Sequence, residues 1–366
     1  MDLSKVTLDI FTKLEQKWLS PRKTRILSID GGGTTAIVAG ASILHLEDQI
    51  RLQTGDPHAQ ISDFFDIVAG TGIGGILAAL LVADDGSGKP MFTARDAVRR
   101  SRRYSAGSMD RALEAAFRRE DGKVLTMKDT CKPLLVPCYD LRSSAPFVFS
   151  RAGASESPSF DFELWKVCRA TSATPSLFKP VNVVSVDGKT SCLAVDGGLV
   201  MNNPSAAAVT HVLHNKRDFP SVNGVDDLLV LSLGNGSSSS LGGKLRRNGD
   251  CSTSCVVDIV TDGVSDTVDQ MLGNAFCWNR TDYVRIQVSG LTRGGEGIVG
   301  PRKTAEELLK ERGVETAPFG GKRLLSETNG ERIESFVQRL VASGKSTSLP
   351  PSPCKESAVN PLADGR

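Results

Sequence analysis

The chain has 366 residues, 40% hydrophobic and 23% charged, a composition typical of a soluble globular protein with one large or two ordinary domains. Its 44 basic and 42 acidic side chains leave a formal net charge of +2, which excludes an overall field that would attract nucleic acid. It has 4 His and 8 Cys, with neither a CxxC pair nor zinc spacing, so we expect reduced thiols, no metal site and no cofactor.

The sequence predicts a cytoplasmic protein. The uncharged stretch 67–83 falls short of the roughly 20 apolar residues that a membrane-spanning helix needs. Charged side chains at Asp2, Lys5 and Asp9 interrupt the N-terminus, which therefore lacks the pattern of a secretory signal. A buried strand running into a buried helix explains the stretch 67–83 better than a membrane span does.

An amphipathic helix is predicted within residues 1–24. Val6, Ile10, Leu14 and Trp18 recur at helical spacing, with charged side chains opposite them. We expect this helix to pack on the rest of the chain. A helix lying on a membrane surface is the alternative, which the mixed sign of the polar face disfavours.

An α/β fold is predicted for most of the remaining chain. A short apolar run at 26–29 ends in glycines before a helix at 35–52, and a strand at 64–68 leads through a glycine turn at 70–75 into a helix at 76–82. Two successive strand–turn–helix units favour a mostly parallel central sheet flanked by helices.

Later elements continue this pattern. Further strands are predicted at 134–139, 147–150, 192–195, 228–233 and 283–287, and helices at 254–275, 303–312 and 330–342. The segment 232–249 is rich in Ser and Gly and predicts a mobile loop. The Pro- and Ser-rich tail 344–366 predicts disorder.

One segment is rich in arginine. Between residues 95 and 119 the chain carries Arg95, Arg99, Arg100, Arg102, Arg103, Arg111, Arg118 and Arg119. The plain interpretation is a solvated helix face. The alternative is a patch that attracts anionic lipid head groups, at about 1 kcal/mol for each well-placed basic residue, which would give transient contact with membrane surfaces.

The first motif that could carry chemistry is Asp30-Gly31-Gly32-Gly33, between a predicted strand and a helix. Consecutive glycines let the backbone turn sharply and approach a ligand. Free N–H groups at the start of a helix can bind a phosphate or the oxyanion of an acyl-transfer reaction.

The second motif is Gly70-Thr71-Gly72-Ile73-Gly74-Gly75, again between a strand and a helix. Its spacing is that of a nucleophile elbow, G-x-S-x-G, in which small flanking residues allow a tight turn to present the central side chain. The central residue here is Gly72. The turn therefore has the shape of the elbow without its hydroxyl.

The third motif is Asp196-Gly197-Gly198, with Asn202-Asn203-Pro204 behind it. An aspartate at the end of an apolar strand, followed by two glycines, can reach into a cleft as a general base. Asp-Gly-Gly alone is common in ordinary turns.

Together and in this order, the three motifs resemble those of the patatin-like lipid acyl hydrolases. The runs R-A-T-S-A-T-P at 169–175 and L-V-L-S-L-G at 229–234 add to the resemblance, which covers roughly residues 25–290. It implies a three-layer α/β fold with a patatin-like domain at 26–209 and its continuation, with added helices, at 210–343.

The resemblance also implies a site in which a Ser–Asp dyad works beside an oxyanion hole of backbone N–H groups. Carried onto this chain, Asp196 would be the base, Gly32 and Gly33 of the Gly31–Gly33 loop would hold the oxyanion, and Gly72 would occupy the position of the nucleophile. The other motif residues would shape the turns: Asp30, Gly31, Gly70, Gly74, Gly197 and Gly198. The partners implied are membrane glycerolipids, with no nucleic acid.

Two positions depart from the family pattern. Thr35 stands where the family's glycine loop carries arginine, and Gly72 replaces the serine. Both features look like the plant group III patatin-related phospholipases, whose elbow reads G-x-G-x-G and whose members are described as acyl hydrolases of phospholipids and galactolipids. The resemblance thus implies a lipid acyl hydrolase of this type.

Two other functions remain open. A patatin-shaped protein without its serine could bind lipid or a partner without turnover, because loss of the nucleophile of a serine hydrolase costs on the order of 10⁶ in kcat. A sugar kinase or ATPase of the actin-like fold also carries I-D-G-G-G-T in its first phosphate loop, but here Gly70-Thr71-Gly72 follows that loop too soon.

A hydrolase without the serine needs another nucleophile. The missing CH₂OH at Gly72 leaves space close to the volume of one water, which Asp196 could activate against an ester carbonyl without an acyl-enzyme. Ser172 and Ser108 are hydroxyls that could replace that water. Ser172 is better explained as a local hydrogen-bonding motif before Pro175.

Overall fold

We describe a computed structural model of the chain over residues 23–32, 37–102, 109–175, 177–236, 253–288, 305–317, 321–342 and 344. The amphipathic pattern before residue 23, the tail after 344 and most of the segment 232–249 lie outside these residues, so those predictions stay predictions.

Within the described residues, a sheet of eight strands forms the centre of the fold. The strands are β1 Thr24–Ile29, β2 Ile67–Gly70, β3 Leu134–Asp140, β4 Ala145–Ser150, β5 Val181–Val184, β6 Ser191–Asp196, β7 Leu228–Leu233 and β8 Tyr283–Ile286. Their order is β5-β6-β3-β2-β1-β7-β8, with β4 also paired to β3. The block β3-β2-β1-β7-β8 is parallel, whereas β4, β5 and β6 pair in antiparallel fashion. The prediction of a mostly parallel sheet is confirmed.

Helices surround this sheet. They are α1 Ile37–Thr54, α2 Gly72–Val82, α3 Ala94–Ser101, α4 Met109–Ala116, α5 Arg151–Glu156, α6 Leu164–Thr171, α7 Gly198–Met201, α8 Ser205–His214, α9 Thr253–Ala275, α10 Ala305–Lys310 and α11 Asn329–Ala342. A separate hairpin pairs β9 Arg312–Ala317 with β10 Gly321–Thr328. No described helix combines the length and the apolar content that crossing a bilayer requires.

Helices cover both faces of the central sheet, so the fold has three layers: helices, sheet and helices. In β1, Leu27 and Ile29 face one apolar cluster with α1 and α2, while Ile26 faces a second cluster with α8 and α9. Side chains alternate between faces along a strand, so a strand that is apolar at successive positions needs a helical layer on each side. The helices α1 and α2 therefore lie opposite α8 and α9 across the sheet.

The junction that positions the site lies on one edge of β3. β4 pairs with β3 along Leu135–Asp140, so β2 and β6 share the other edge, β2 at its start and β6 at its end. Because β2 runs parallel to β3 and β6 runs antiparallel, the carboxyl ends of β2 and β6 point at each other near Pro137. The turns that follow Gly70 and Asp196 are therefore brought face to face.

Several sequence-based boundaries were wrong. β2 begins at Ile67 rather than 64, because Phe64 and Phe65 are buried ahead of the strand, after a 3₁₀ turn at Ile61–Asp63. The helix predicted from 76 begins at Gly72, directly after the strand. The helix predicted at 303–312 ends at Lys310, and the chain continues as β9. No strand was predicted for β5, β9 or β10.

Candidate active site

The elbow between β2 and α2 is held on three sides. Gly72 adopts φ +56°, a left-handed conformation that glycine accepts readily. Its N–H donates to Thr171 Oγ1 at 2.9 Å, and that hydroxyl donates to the Pro137 carbonyl at 2.6 Å. Thr71 Oγ1 donates to the Met201 carbonyl at 2.6 Å. The threonine at the end of α6 thus ties the elbow to the β3 junction.

The glycines on each side of Gly72 allow close backbone contact. A Cβ on Gly74 would lie 2.3 Å from the Asp30 carbonyl oxygen, and a Cβ on Gly70 would lie 2.3 Å from the Gly74 carbonyl oxygen. Neither position can hold a side chain without moving the backbone. The elbow therefore packs directly against the end of β1, where the first glycine motif begins.

Asp196 faces the elbow from the end of β6. Its Oδ2 accepts the Thr174 hydroxyl at 2.6 Å and its Oδ1 accepts the Gly198 N–H at 2.8 Å. A Cβ on Gly72 would lie 3.5 Å from Oδ1. Burial raises the pKa of Asp196, and the two hydrogen bonds oppose that rise. The structure brings Gly72 and Asp196 together with one carboxylate oxygen aimed at the elbow.

In the glycine loop, which follows β1, Gly32 lies next to Gly72 and Asp196. The Gly32 nitrogen lies 3.9 Å from where a Cβ on Gly72 would be, and the Asn235 amide donates to the Gly32 carbonyl. The Gly31 N–H donates to the Asn202 carbonyl at 2.9 Å. The Gly31 N–H is therefore engaged within the fold, which leaves Gly32 and Gly33 as the predicted oxyanion donors of the Gly31–Gly33 loop. Gly33 and Thr35 lie outside the described residues, and the role of Gly33 stays a prediction.

A buried ion pair supports the start of this loop. Arg285 on β8 donates to both carboxylate oxygens of Asp30, at 2.8 and 2.5 Å, and also to Ser232 and Ser265. Ser265 on α9 donates to Asp30 at 2.8 Å. Burial lowers the pKa of Arg285, but the adjacent Asp30 carboxylate more than offsets this and raises it. The network joins β1, β7, β8 and α9 beneath the glycine loop.

Sequence reasoning missed several of these residues. Thr171 and Thr174 belong to the run R-A-T-S-A-T-P, whose residues have no predicted role in the site. Arg285 was not singled out, although a lone arginine inside the apolar strand Y-V-R-I is a signal for a buried carboxylate partner. Asn202 was noted only as part of the N-N-P run. Their roles depend on contacts between distant segments, which a single sequence does not display.

The alternative hydroxyls have local explanations or lie outside the described residues. Ser172 Oγ donates to the Cys168 carbonyl at 2.7 Å, back along its own helix, in agreement with the structural interpretation. Ser108 lies outside the described residues. No group of His, Cys, Asp and Glu suited to a metal ion occurs in the described part of the chain.

Comparison with known proteins gives the same family as the motifs. A family profile described as "Patatin-like phospholipase" matches residues 27–209. The chain is 82% identical to "Probable inactive patatin-like protein 9" of Arabidopsis thaliana, with both chains covered in full. It is 43% identical to "Patatin-like protein 6" of the same plant, over 87% of this chain and 71% of that protein. It is 40% identical to "Patatin-like protein 3" of Oryza sativa subsp. japonica, over 92% of this chain and 90% of that protein. With the elbow, the aspartate and the glycine loop in one place, these matches show that the chain belongs to the patatin-like phospholipase family.

Proposed function

We propose that this chain hydrolyses acyl esters of membrane glycerolipids, both phospholipids and galactolipids, by direct attack of water. One observation carries the proposal. The point where a Cβ on Gly72 would lie is 3.5 Å from Asp196 Oδ1 and 3.9 Å from the Gly32 nitrogen. A water in the space that a serine side chain at this position would fill, beyond contact distance of the Gly72 Cα, can come within hydrogen-bond reach of Asp196 Oδ1, which is the geometric requirement for general base catalysis.

The reaction follows from the groups present. Asp196 accepts a proton from the water while the water oxygen bonds to the ester carbonyl carbon, and the carbonyl oxygen becomes an oxyanion beside the Gly32 N–H. The ester C–O bond then breaks, and Asp196 returns the proton to the departing alcohol. Water and ester give a fatty acid and an alcohol, and no acyl-enzyme forms.

The expected rate is low. Loss of the nucleophile of a serine hydrolase costs on the order of 10⁶ in kcat, whereas an oxyanion hole and substrate binding by themselves leave roughly 10³–10⁴ over the reaction in water. A base beside the water adds typically 10²–10⁴. We therefore expect slow turnover, measurable above a variant in which the base is removed.

Lipid binding without turnover is the second candidate. Within the described residues, four hydroxyls on the segments around the elbow donate to a backbone carbonyl or to Asp196 itself: Thr71, Thr171, Ser172 and Thr174. None of these side chains is therefore aimed at a substrate as a replacement nucleophile. One relative is named as probably inactive, in keeping with this candidate. The actin-like kinase is no longer a candidate, because the chain belongs to another family.

We further propose that the protein works in the cytoplasm and meets its lipids by transient contact with membrane surfaces. The arginine-rich segment supports this in part. Arg169 on α6 pairs with Asp110 on α4 at 2.7 Å, so this segment packs against the helix that carries Thr171. Exposed cations here would hold anionic head groups near the site.

The test is hydrolysis by purified protein beside its Asp196→Asn variant. The substrates are phosphatidylcholine, phosphatidylglycerol and a monogalactosyl diacylglycerol in mixed micelles, with released fatty acid as the readout. We expect activity that the substitution abolishes, and no labelling of the native chain by a fluorophosphonate. Equal fatty acid release by both proteins would contradict the proposal. Lipid binding by both without release would support the second candidate.

A further inference from the structure

Asn235 lies in the turn that follows β7, at the edge of the sheet where the candidate site is. Its side-chain amide donates to the Gly32 carbonyl, which is 203 positions earlier in the sequence. Its Oδ1 accepts no hydrogen bond within the described residues, so the bond to Gly32 is the polar contact that this side chain makes there. The side chain of Asn235 therefore contacts the glycine loop rather than its own turn.

The end of β8 holds the turn that carries Asn235. The Gly234 N–H donates to the Ile286 carbonyl at 2.7 Å, and the Gly236 N–H donates to Gln287 Oε1 at 2.9 Å. A Cβ on Gly234 would lie 2.4 Å from Gln287 Oε1, so the turn packs directly against this side chain. The residues on both sides of Asn235 are thus fixed to the sheet, and a side chain on a rigid support can position another group accurately.

The peptide group between Gly31 and Gly32 is held from both sides. It carries the Gly32 N–H, whose nitrogen lies 3.9 Å from where a Cβ on Gly72 would be. On one side, the Gly31 N–H donates to the Asn202 carbonyl at 2.9 Å. On the other side, the Asn235 amide binds the Gly32 carbonyl. Because glycine has more backbone freedom than other residues, these two bonds restrict the direction of the N–H between them.

Gly32 has a donor that a substrate can use. Gly31 is buried and its N–H is engaged, whereas Gly32 is partly exposed. Within the described part of the chain, the Gly32 N–H forms no hydrogen bond. Donors that are held in place before the reaction stabilise a developing oxyanion without the cost of reorganising during the reaction.

We infer that Asn235 is a positioning residue for the oxyanion hole, an inference that rests on the proposed function. When water attacks the ester, the carbonyl electron pair moves onto the carbonyl oxygen, and the Gly32 N–H donates to that oxygen. Asn235 does not touch the substrate. It holds the Gly32 carbonyl and thereby the orientation of the loop, so without this amide the donor must be ordered during the reaction itself.

Binding of a stable oxyanion is the first test. A long-chain alkyl methylphosphonate has a tetrahedral, anionic centre like that formed on attack at an ester, and a dialkyl ether analogue of phosphatidylcholine resembles the unreacted lipid. Displacement of a catalytic group by about 1 Å can cost 10²-fold, so Asn235→Ala should weaken phosphonate binding by about that factor and leave binding of the ether lipid unchanged. Titration calorimetry in detergent micelles measures both. Equal weakening of the two ligands would contradict the inference, because it is the result expected of a merely structural role.

Two further variants complete this test. Asn235→Asp keeps the size of the side chain, but its ionised carboxylate only accepts hydrogen bonds and adds a negative charge near the anion. It should weaken phosphonate binding at least as much as Asn235→Ala, and it serves if Asn235→Ala fails to fold. Asn279→Ala is the matched control, since that amide donates to Asp226 Oδ1 at 3.3 Å before β8, at the opposite edge of the sheet. It should leave the binding of both ligands unchanged.

Turnover separates this inference from the proposed function. In a native chain that hydrolyses lipid, Asn235→Ala should lower kcat by the same factor as the phosphonate affinity, with little change in KM. A native chain that releases no fatty acid, but whose phosphonate affinity depends on Asn235 as expected, would reject the proposed function and keep the inference. Equal phosphonate affinity in the native and Asn235→Ala chains would overturn the inference whether or not lipid is hydrolysed. A native chain that does not bind the phosphonate would overturn it as well.

Discussion

At the scale of single residues, Gly72 lies where the predicted nucleophile elbow lacks its serine. Its φ of +56° costs a residue with a Cβ roughly 1–3 kcal/mol. The space at this position is adequate, because a Cβ would meet Asp196 Oδ1 and the Gly31 Cα at 3.5 Å, which is ordinary contact. The Cβ of a serine would therefore fit without overlap, and its cost is the strained backbone.

Gly72→Ser should raise ester hydrolysis and produce a trappable acyl-enzyme. The hydroxyl would stand beside Asp196, and the variant should lose roughly 1–3 kcal/mol of stability because of the positive φ. The measurements are p-nitrophenyl ester hydrolysis, fluorophosphonate labelling and thermal unfolding. Gly72→Ala is the matched control, with the same strain and no hydroxyl, so it should lose similar stability without labelling. A folded Gly72→Ser chain that resists the label would show that the elbow does not present its side chain to Asp196.

The pH dependence of hydrolysis should report Asp196. The base must be ionised to accept a proton, and burial raises its pKa above the ordinary value of about 3.9. Activity should therefore fall as the pH drops through this raised pKa, at higher pH than for an exposed aspartate. The measurement is kcat/KM across pH 4 to 8 in buffers of constant ionic strength. Thr174→Val removes a hydrogen bond that favours the ionised form and should move the acid limb further upward, whereas Thr174→Ser should restore it. A limb that stays in place in Thr174→Val would contradict this assignment.

At the scale of elements, the Asp30–Arg285 pair holds four elements under the glycine loop. Arg285→Leu leaves Asp30 buried without its partner, which typically costs 3–5 kcal/mol. We expect urea unfolding to show that Arg285→Leu lowers the free energy of unfolding by this amount. The double variant Asp30→Leu/Arg285→Leu should lose less than the sum of the two single variants.

The exposed pair of Arg323 and Glu315 provides the control for this prediction. These side chains lie 2.6 Å apart but are 64% and 41% exposed. Exposed ion pairs contribute about 0–1 kcal/mol, so Arg323→Leu should change stability little. If Arg285→Leu and Arg323→Leu lowered the free energy of unfolding equally, the prediction that the buried pair stabilises the fold would be contradicted.

At the scale of the whole molecule, the arginine-rich segment is less positive than its composition indicates. Within the described residues, Arg95, Arg99, Arg118 and Arg119 each lie within 4.0 Å of an acidic side chain. Arg102 and Arg111 are exposed and form no ion pair within that part of the chain. Arg100 lies over the Phe92 ring at 4.5 Å, and Arg103 lies outside the described residues. The lipid-binding interpretation stays a prediction and depends on Arg102 and Arg111.

Binding to anionic liposomes should weaken with salt and depend on the exposed, unpaired arginines. Replacing Arg102 and Arg111 by Gln should reduce binding about 30-fold at low salt, at about 1 kcal/mol for each residue. Replacing the paired Arg99 and Arg118 by Gln should reduce it much less. Vesicle sedimentation from 50 to 500 mM salt measures both, since screening shortens to about 3 Å at 1 M. If both double variants lost binding equally, or if binding did not change with salt, the prediction of electrostatic attraction to the vesicles would be contradicted.

The local elements followed largely from the sequence. β7 runs over Leu228–Leu233 as predicted, and α9 over Thr253–Ala275 differs from its prediction by one residue. β7 is a fully buried run with one polar residue, and α9 is a long segment without proline, so both have clear local signals. The sequence does not reveal β5 and β10 because their side chains are largely exposed and form no apolar run, although each pairs with the preceding or following strand, β5 with β6 and β10 with β9.

The sequence alone determined the family, the mostly parallel sheet, and the absence of a hydroxyl at the elbow. These follow from spacing and residue type, which are properties of the chain before it folds. Only the tertiary structure decided that β2 and β6 end against each other on one edge of β3 and so place Asp196 opposite Gly72. It also decided that Gly31 is engaged with Asn202 and that Arg285 supports Asp30. Strand order and side-chain partners join segments far apart in the chain, and they are settled by which pairings bury apolar faces and satisfy buried polar groups together.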